Sequence, residues 1–160
     1  MGGMSPDEFL LVFVEGNYHD FFAEEASVRH GFNAVVPAFH MADHYFHYCK
    51  RHAPTHRILK YGGRKGYLKY LSSKSEYFND VQSIANAYKH LYQRNKNEPH
   101  VTVSSAGTIG DLKSSDFEME GDVNYVIYTR KSNNKVKFRL LEALQSVINL
   151  WKEEIEDCPS

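Results

Sequence analysis

The sequence predicts an α+β fold dominated by helices: a bundle of three to four helices with a small antiparallel β-hairpin before the C-terminal helix. Three observations carry this prediction. The 160 residues, 42% of them hydrophobic and 24% charged, suit a single domain over 1–160 with a core of its own. Hydrophobic residues recur at helical spacing along most of the chain. Between about 100 and 138 the pattern changes to the alternation typical of strands.

Start and stop signals predict helices over about 5–30, 32–51 and 73–94. Ser5-Pro6-Asp7-Glu8 is a helix-start signature, and Gly31 separates the first helix from the second. Glycines between residues 62 and 66 mark an irregular connection. Ser72-Ser73 followed by Glu76 resembles a capping box and opens the third helix.

The later elements are a β-element over about 100–138 and a helix over about 139–157. The segment 124–130 is rich in β-branched and aromatic residues, and 135–138 reads as the returning strand. The last helix carries an apolar stripe at three- and four-residue spacing, which predicts a core face. Its members are Leu141, Leu144, Ile148, Trp151 and Ile155.

Composition excludes several classes of protein. Nineteen basic residues stand against twenty acidic ones, which argues against a uniformly basic nucleic-acid coat. The longest apolar run, Phe9 to Val14, is too short to span a membrane and lacks the flanks of a secretory signal. Cys49 and Cys158 cannot by themselves form a disulfide framework or a zinc site. We expect a cytoplasmic protein without membrane contact and without a cofactor.

The predicted second helix carries a carboxylate and three histidines on or beside its apolar face. At about 100° per residue, Asp43 falls within the apolar arc. A carboxylate is rarely buried without a partner. We therefore interpret the group as a hydrogen-bonded polar network; its members are His40, Asp43, His44 and His47. A transition-metal site and a catalytic or nucleotide-contacting network are the alternatives.

Between Asp43 and Glu76 the sequence contains no carboxylate. This basic stretch contains Lys50, Arg51, Arg57, Lys60, Arg64, Lys65, Lys69 and Lys74, with Tyr61, Tyr67 and Tyr70 interleaved. Cations pair with phosphates and aromatic rings stack on unpaired bases, so the stretch predicts an RNA-contacting surface. Arg64, Lys65 and Lys69 are the expected contacts. The alternative is a solvated loop neutralised by the acidic N-terminal helix.

On the third helix, Asn86 and His90 lie four residues apart on a polar strip, with Lys89 beside them. An asparagine at this spacing can orient an imidazole, and an imidazole is suited to proton transfer near neutral pH. The spacing predicts His90 as a general acid/base, Asn86 as its orienting neighbour and Lys89 as a phosphate contact. The alternative is a surface strip in which His90 favours the helix C-terminus.

The segments AFHMADH (Ala38 to His44) and IANAYKH (Ile84 to His90), followed by a hairpin and a helix containing Leu150-Trp151, resemble a family of small uncharacterised prokaryotic and phage proteins. The resemblance covers about 32–151. More distantly, the arrangement is similar to HEPN domains, helical bundles of toxin–antitoxin, abortive-infection and RNA-processing systems.

Many HEPN domains are metal-independent ribonucleases with an arginine four to six residues before a histidine. The resemblance implies that His90 stands for that histidine and Asn86 for the polar position near it. No arginine matches, because the positions four to six before His90 are Asn86, Ala85 and Ile84. Arg51 or Arg94 would have to supply the phosphate contact.

Three hypotheses follow for function. The first is a HEPN-like protein of a defence or toxin-type system that binds RNA or is a weak metal-independent ribonuclease. The second is a non-catalytic interaction module, or a homodimer, built on a buried Asp/His network. The third is a metal-dependent hydrolase that uses His40, Asp43 and His44.

Overall fold

A computed structural model describes residues 3–89, 101–104, 119–120, 123–130 and 136–159. The fold is α+β and mainly helical, which confirms the predicted class. The helices are α1 (Pro6–Phe9), a π-helix (Leu10–Glu15), α2 (Gly16–Ala23), α3 (Val28–His52), a 3-10 helix (Arg57–Tyr61), α4 (Gly63–Lys74), α5 (Glu76–Lys89) and α6 (Leu140–Glu154). The strands are β1 (Val101–Ser104), β2 (Met119–Glu120), β3 (Val123–Asn124), β4 (Ile127–Arg130) and β5 (Lys137–Arg139).

The N-terminal helical run begins where the sequence predicts. The Ser5 amide donates to the Glu8 carboxylate at 2.8 Å, and the Glu8 amide donates to the Ser5 hydroxyl at 3.2 Å. This capping box satisfies two amides that the first turn leaves free. The run ends at Ala23, not near residue 30, so its predicted C-terminal boundary is wrong.

Gly31 lies inside α3 and does not separate two helices, so the predicted start near Phe32 is also wrong. The helix begins after Ser27, whose hydroxyl accepts a hydrogen bond from the His30 amide at 3.2 Å. A Cβ at position 31 would lie 3.1 Å from Leu140 and 3.4 Å from Phe21. The missing side chain lets α3 pass close to α2 and α6.

The connection predicted to be irregular between α3 and α5 is largely helical. It contains the 3-10 helix and α4, joined through Gly62 at φ 90° and Gly63 at φ 77°. These left-handed positions favour glycine, which explains the glycine cluster without a long loop. Ser75 then caps α5 through the Phe78 amide at 3.3 Å, so this helix begins at Glu76 and not at 73. Its predicted end near 94 lies outside the described residues.

The predicted antiparallel β-element precedes α6. Its sheet has the strand order β1-β4-β5, all pairs antiparallel, and β2 pairs with β3 separately. The hairpin expected from the sequence is β4–β5, in which Tyr128 lies opposite Phe138. β1 adds a third strand that the sequence did not predict as its partner.

The core is built around α3, which contacts α2, α5 and α6. The predicted stripe of α6 is buried throughout, which confirms it as core. Trp151 is fully buried, donates its indole N–H to the Ala38 carbonyl at 2.8 Å and meets Phe78 edge to face. No helix in the described ranges is long and apolar enough to cross a membrane.

Candidate functional site

Asp43 pairs with a cation from a facing helix. The Arg64 guanidinium, on α4, binds both carboxylate oxygens, with Nη2 to Oδ2 at 3.0 Å, and His40 Nδ1 lies 3.6 Å from Oδ2. The Asp43 side chain is 26% exposed, so it lies at the edge of the core. Burial raises the pKa of Asp43, but the hydrogen bond and charge of Arg64, with the charge of His40, outweigh it and hold the pKa below its ordinary value. A bidentate arginine favours a structural ion pair over a catalytic carboxylate.

The four-residue network expected on α3 does not form as a unit. Only His40 and Asp43 approach each other. His44 turns toward α1 and stacks on Phe9 at a centroid distance of 4.5 Å, and its buried Nε2 has no hydrogen-bond partner within the described ranges. His47 is exposed. The helix turn that brings Asp43 to α4 therefore directs its histidine neighbours to other surroundings.

The described residues contain no group of three or more His, Cys, Asp or Glu side chains placed to hold a metal ion. His40, Asp43 and His44 do not converge, since Arg64 occupies the carboxylate and Phe9 covers the His44 ring. The geometry therefore gives the metal-dependent hydrolase hypothesis no support.

The cations of the basic stretch divide into two groups. Arg57, Arg64 and Lys74 lie within 4 Å of carboxylates of Glu154, Asp157 or Asp43. The others are exposed and form no ion pair with any described carboxylate. They are Lys50, Arg51, Lys60, Lys65 and Lys69. Arg64, expected to contact substrate, is thus neutralised within the fold, whereas Lys65 and Lys69 are free to bind an anion.

An exposed tyrosine ring accompanies these lysines. Tyr61 ends the 3-10 helix, is 37% exposed and stacks on Tyr70 with 4.2 Å between ring centroids and 18° between planes. Lys60 precedes it, and Lys65 and Lys69 lie four residues apart on the outer side of α4. We call Lys60, Tyr61, Lys65 and Lys69 the basic face.

A buried carboxylate that sequence reasoning missed holds the basic stretch against the core. Glu154 is 2% exposed and accepts hydrogen bonds from Tyr70 at 3.1 Å, Tyr67 at 3.3 Å and Arg57 Nη1 at 3.2 Å. Burial, followed by the negative charge of Glu154, raises the pKa of Tyr67. Glu154 follows Trp151 by three residues and so lies on the same face of α6 as the apolar stripe. This spacing is the sequence signal that could have indicated its burial.

A second missed ion pair joins α5 to the sheet. Asp80 is fully buried. Its carboxylate accepts one hydrogen bond from Arg130 Nη2 at 2.7 Å and another from the Tyr128 hydroxyl at 2.6 Å. The Arg130 guanidinium also lies 4.1 Å from the Phe138 ring centroid. Asp80 lies four residues before the buried Ile84 and therefore on the buried face of α5. The contacts of this ion pair indicate a structural role, because they connect α5 with β4.

The predicted catalytic residues are described only in part. Asn86 is exposed on α5, away from the buried side of that helix. Lys89 is the last residue of α5, and its side chain lies outside the described part of the structure. His90 and Arg94 lie outside the described residues altogether. The predicted pairing of Asn86 with His90 therefore stays a prediction.

No family model matches the chain, and comparisons with curated proteins and with solved structures give no match either.

Proposed function

We propose that this protein binds single-stranded RNA through the basic face. The observation that carries the proposal is the division of the basic stretch: after the fold has used three cations internally, Lys60, Lys65 and Lys69 remain exposed without a described carboxylate partner. Lysines of this kind attract phosphates and release bound counterions, which gives affinity without sequence preference.

Tyr61 adds an aromatic ring on which a base can stack, which lysines cannot provide. Its stack on Tyr70 supports one side of the ring, and more than a third of the residue is accessible. An aromatic ring fixed beside cations is a stacking platform that accepts any unpaired base. Bases in a duplex are already stacked on each other, so this surface favours single strands.

Arg64 lies next to the basic face in the sequence but adds little to RNA binding. Arg64 is bound through two of its nitrogens to Asp43, so the net charge of this pair is zero. Arg57 donates to both Glu154 and Asp157, and the Lys74 ammonium lies 3.8 Å from Glu154, so these two cations also face carboxylates within the fold. We therefore assign RNA contact to Lys65 and Lys69 and not to Arg64.

RNA cleavage is the second half of the HEPN-like hypothesis and depends on His90. A general acid/base mechanism would use its imidazole, with Lys89 near the phosphate and Asn86 as the orienting residue. No contact among the described residues bears on this step. Binding is therefore the function that the described surface supports best, and cleavage by His90 is tested beside it.

The binding test is a fluorescence titration of a short labelled oligouridylate at several salt concentrations. If three lysines contact phosphates, the slope of log affinity against log salt is about −2, so affinity falls roughly 20-fold between about 50 and 200 mM salt. Lys65→Gln and Lys69→Gln each reduce the slope by about 0.7. Tyr61→Leu weakens binding by about 1–3 kcal/mol with little effect on the slope.

The matched control is Lys152→Gln. This lysine is also exposed on a helix, but it pairs with Glu15, so its loss leaves RNA affinity and the salt slope unchanged. The cleavage arm compares the wild type with His90→Ala on the same RNA. Absence of salt-sensitive binding at low salt refutes the binding proposal, and cleavage that persists in His90→Ala refutes the catalytic assignment alone.

A further inference from the structure

The C-terminal half of α3 carries exposed cations that the basic face does not include. Lys50 and Arg51 lie in the last turn of α3, and both are exposed. His47 is exposed one turn earlier. Residues three and four apart are neighbours on a helix surface, so these three side chains share one side of α3. We call His47, Lys50 and Arg51 the α3 face.

The Arg64–Asp43 ion pair connects the α3 face with the helix that carries the basic face. Asp43 lies four residues before His47, and therefore on the same side of α3. Arg64 of α4 binds both oxygens of its carboxylate. The next residue along α4 is Lys65, which belongs to the basic face. The two cationic surfaces therefore lie on helices that contact each other at this ion pair.

The acidic helix α1 also contacts α3, but its carboxylates do not neutralise the α3 face. Glu8 accepts a hydrogen bond from the Ser5 amide at 2.8 Å. Asp7 is exposed and forms no ion pair with Lys50 or Arg51. Among the described residues, neither of these two cations has a carboxylate partner. Their charge is therefore available to an anion outside the chain.

We propose that single-stranded RNA continues from the basic face across the Arg64–Asp43 ion pair onto the α3 face. This extension rests on the proposed function and names its substrate as a strand long enough to cover parts of two helices. Lys50 and Arg51 supply further phosphate contacts. The Arg51 guanidinium and the His47 ring are planar groups on which unpaired bases stack, and this favours RNA over an acidic protein. From Asp43 to Arg51 the helix rises about 12 Å, so only longer strands reach its end.

The test titrates labelled oligouridylates of about 4 and about 16 nucleotides with the full chain at several salt concentrations. The short strand uses the basic face, with a slope of log affinity against log salt of about −2. Two further phosphate contacts steepen the slope of the long strand to about −3.5. Lys50→Gln and Arg51→Gln each reduce the long-strand slope by about 0.7 and leave the short strand unchanged. The slope is the decisive quantity, because extra binding registers on a longer strand raise affinity without adding phosphate contacts.

Lys152→Gln is the matched control, since Lys152 also lies in the last turn of a helix but pairs with Glu15. It leaves both slopes unchanged, and thermal melting checks that each variant is folded. Equal slopes for the two strands, or a long-strand slope that Lys50→Gln and Arg51→Gln do not change, overturn the inference and leave the basic face intact. Absence of salt-sensitive binding of the short strand refutes the basic face, and the extension with it. A polyglutamate peptide that displaces the long strand as well as unlabelled RNA of equal charge also overturns the inference, because it assigns the α3 face to an acidic protein.

Discussion

Asp43 and Asp80 are both carboxylates held by an arginine, but their surroundings differ. Asp80 is fully buried and receives both the Arg130 guanidinium and the Tyr128 hydroxyl. Asp43 is partly exposed, and its partner Arg64 is 44% exposed. The cost of removing one partner depends on how far the other is kept from water.

We expect Asp80→Ala to lower the free energy of unfolding by about 3–5 kcal/mol, because it removes the buried carboxylate that accepts from Arg130 and Tyr128, while Arg130 keeps its ion pair with the exposed Glu76. Asp43→Ala should cost only about 1 kcal/mol, since Arg64 can turn to water. Denaturant unfolding of the two variants measures both values. Equal losses in the two proteins would contradict the difference in burial.

The spacing of residues in the sequence predicted which face of its helix Asp43 occupies, but not which side chain pairs with it. The periodicity of α3 placed Asp43 beside apolar residues, and it does lie at the edge of the core. Its partner comes from α4, a helix that the sequence did not indicate, so the partner could not be named. Asp80 and Glu154 were hidden for a related reason: each lies in an apolar stripe, and their arginines are 50 and 97 residues away.

At the scale of elements, the sequence predicted helices best where an apolar stripe and a cap coincide, as in α6 and at Ser5. It failed at glycines, which serve different purposes in this chain. Gly31 permits close helix packing, and Gly62 and Gly63 form a left-handed turn. A glycine in a sequence does not distinguish close packing from a chain reversal, so the sequence predicts too short an α3 and an irregular connection in place of α4.

Gly66 and Gly16 provide a test of this distinction within helices. A Cβ at Gly66 would overlap the Tyr61 carbonyl, whereas at Gly16 the nearest atom is the Leu11 carbonyl oxygen at 3.9 Å. Gly66→Ala should therefore destabilise the start of α4 by about 1–3 kcal/mol and weaken RNA binding by displacing Tyr61. Gly16→Ala should stabilise by up to about 1 kcal/mol. Thermal melts compare them; stabilisation by both changes would contradict the close approach at Gly66.

The net charge of −1 conceals an uneven distribution of acidic and basic residues along the chain. The basic face belongs to the 3-10 helix and α4, whereas the exposed carboxylates Asp7, Glu8 and Asp20 belong to α1 and α2. The sequence predicted this asymmetry, because charge runs are visible without a structure. It could not show that the fold neutralises Arg57, Arg64 and Lys74, which required carboxylates from α3 and the end of α6.

Asp43 and Asp157, two of the carboxylates that pair with these arginines, determine how the stability of the fold responds to acid. Burial raises the pKa of Asp43 and of Asp157, but hydrogen bonds and charge from Arg64 and Arg57 outweigh it, so both pKa values lie below the ordinary value. A carboxyl with a lowered pKa stabilises the fold above its unfolded pKa of about 3.9, and this contribution is lost as the pH falls through the folded pKa.

The protein should therefore melt at progressively lower temperature below about pH 4. Asp157→Asn removes one of the lowered groups, so its melting temperature should be below that of the wild type at about pH 7, and the gap should close as the pH approaches about 2. Glu156→Gln, which changes an exposed neighbour, is the control and should follow the wild type throughout. A gap that keeps its size at the lowest pH would mean that Asp157 acts through packing and not through its charge.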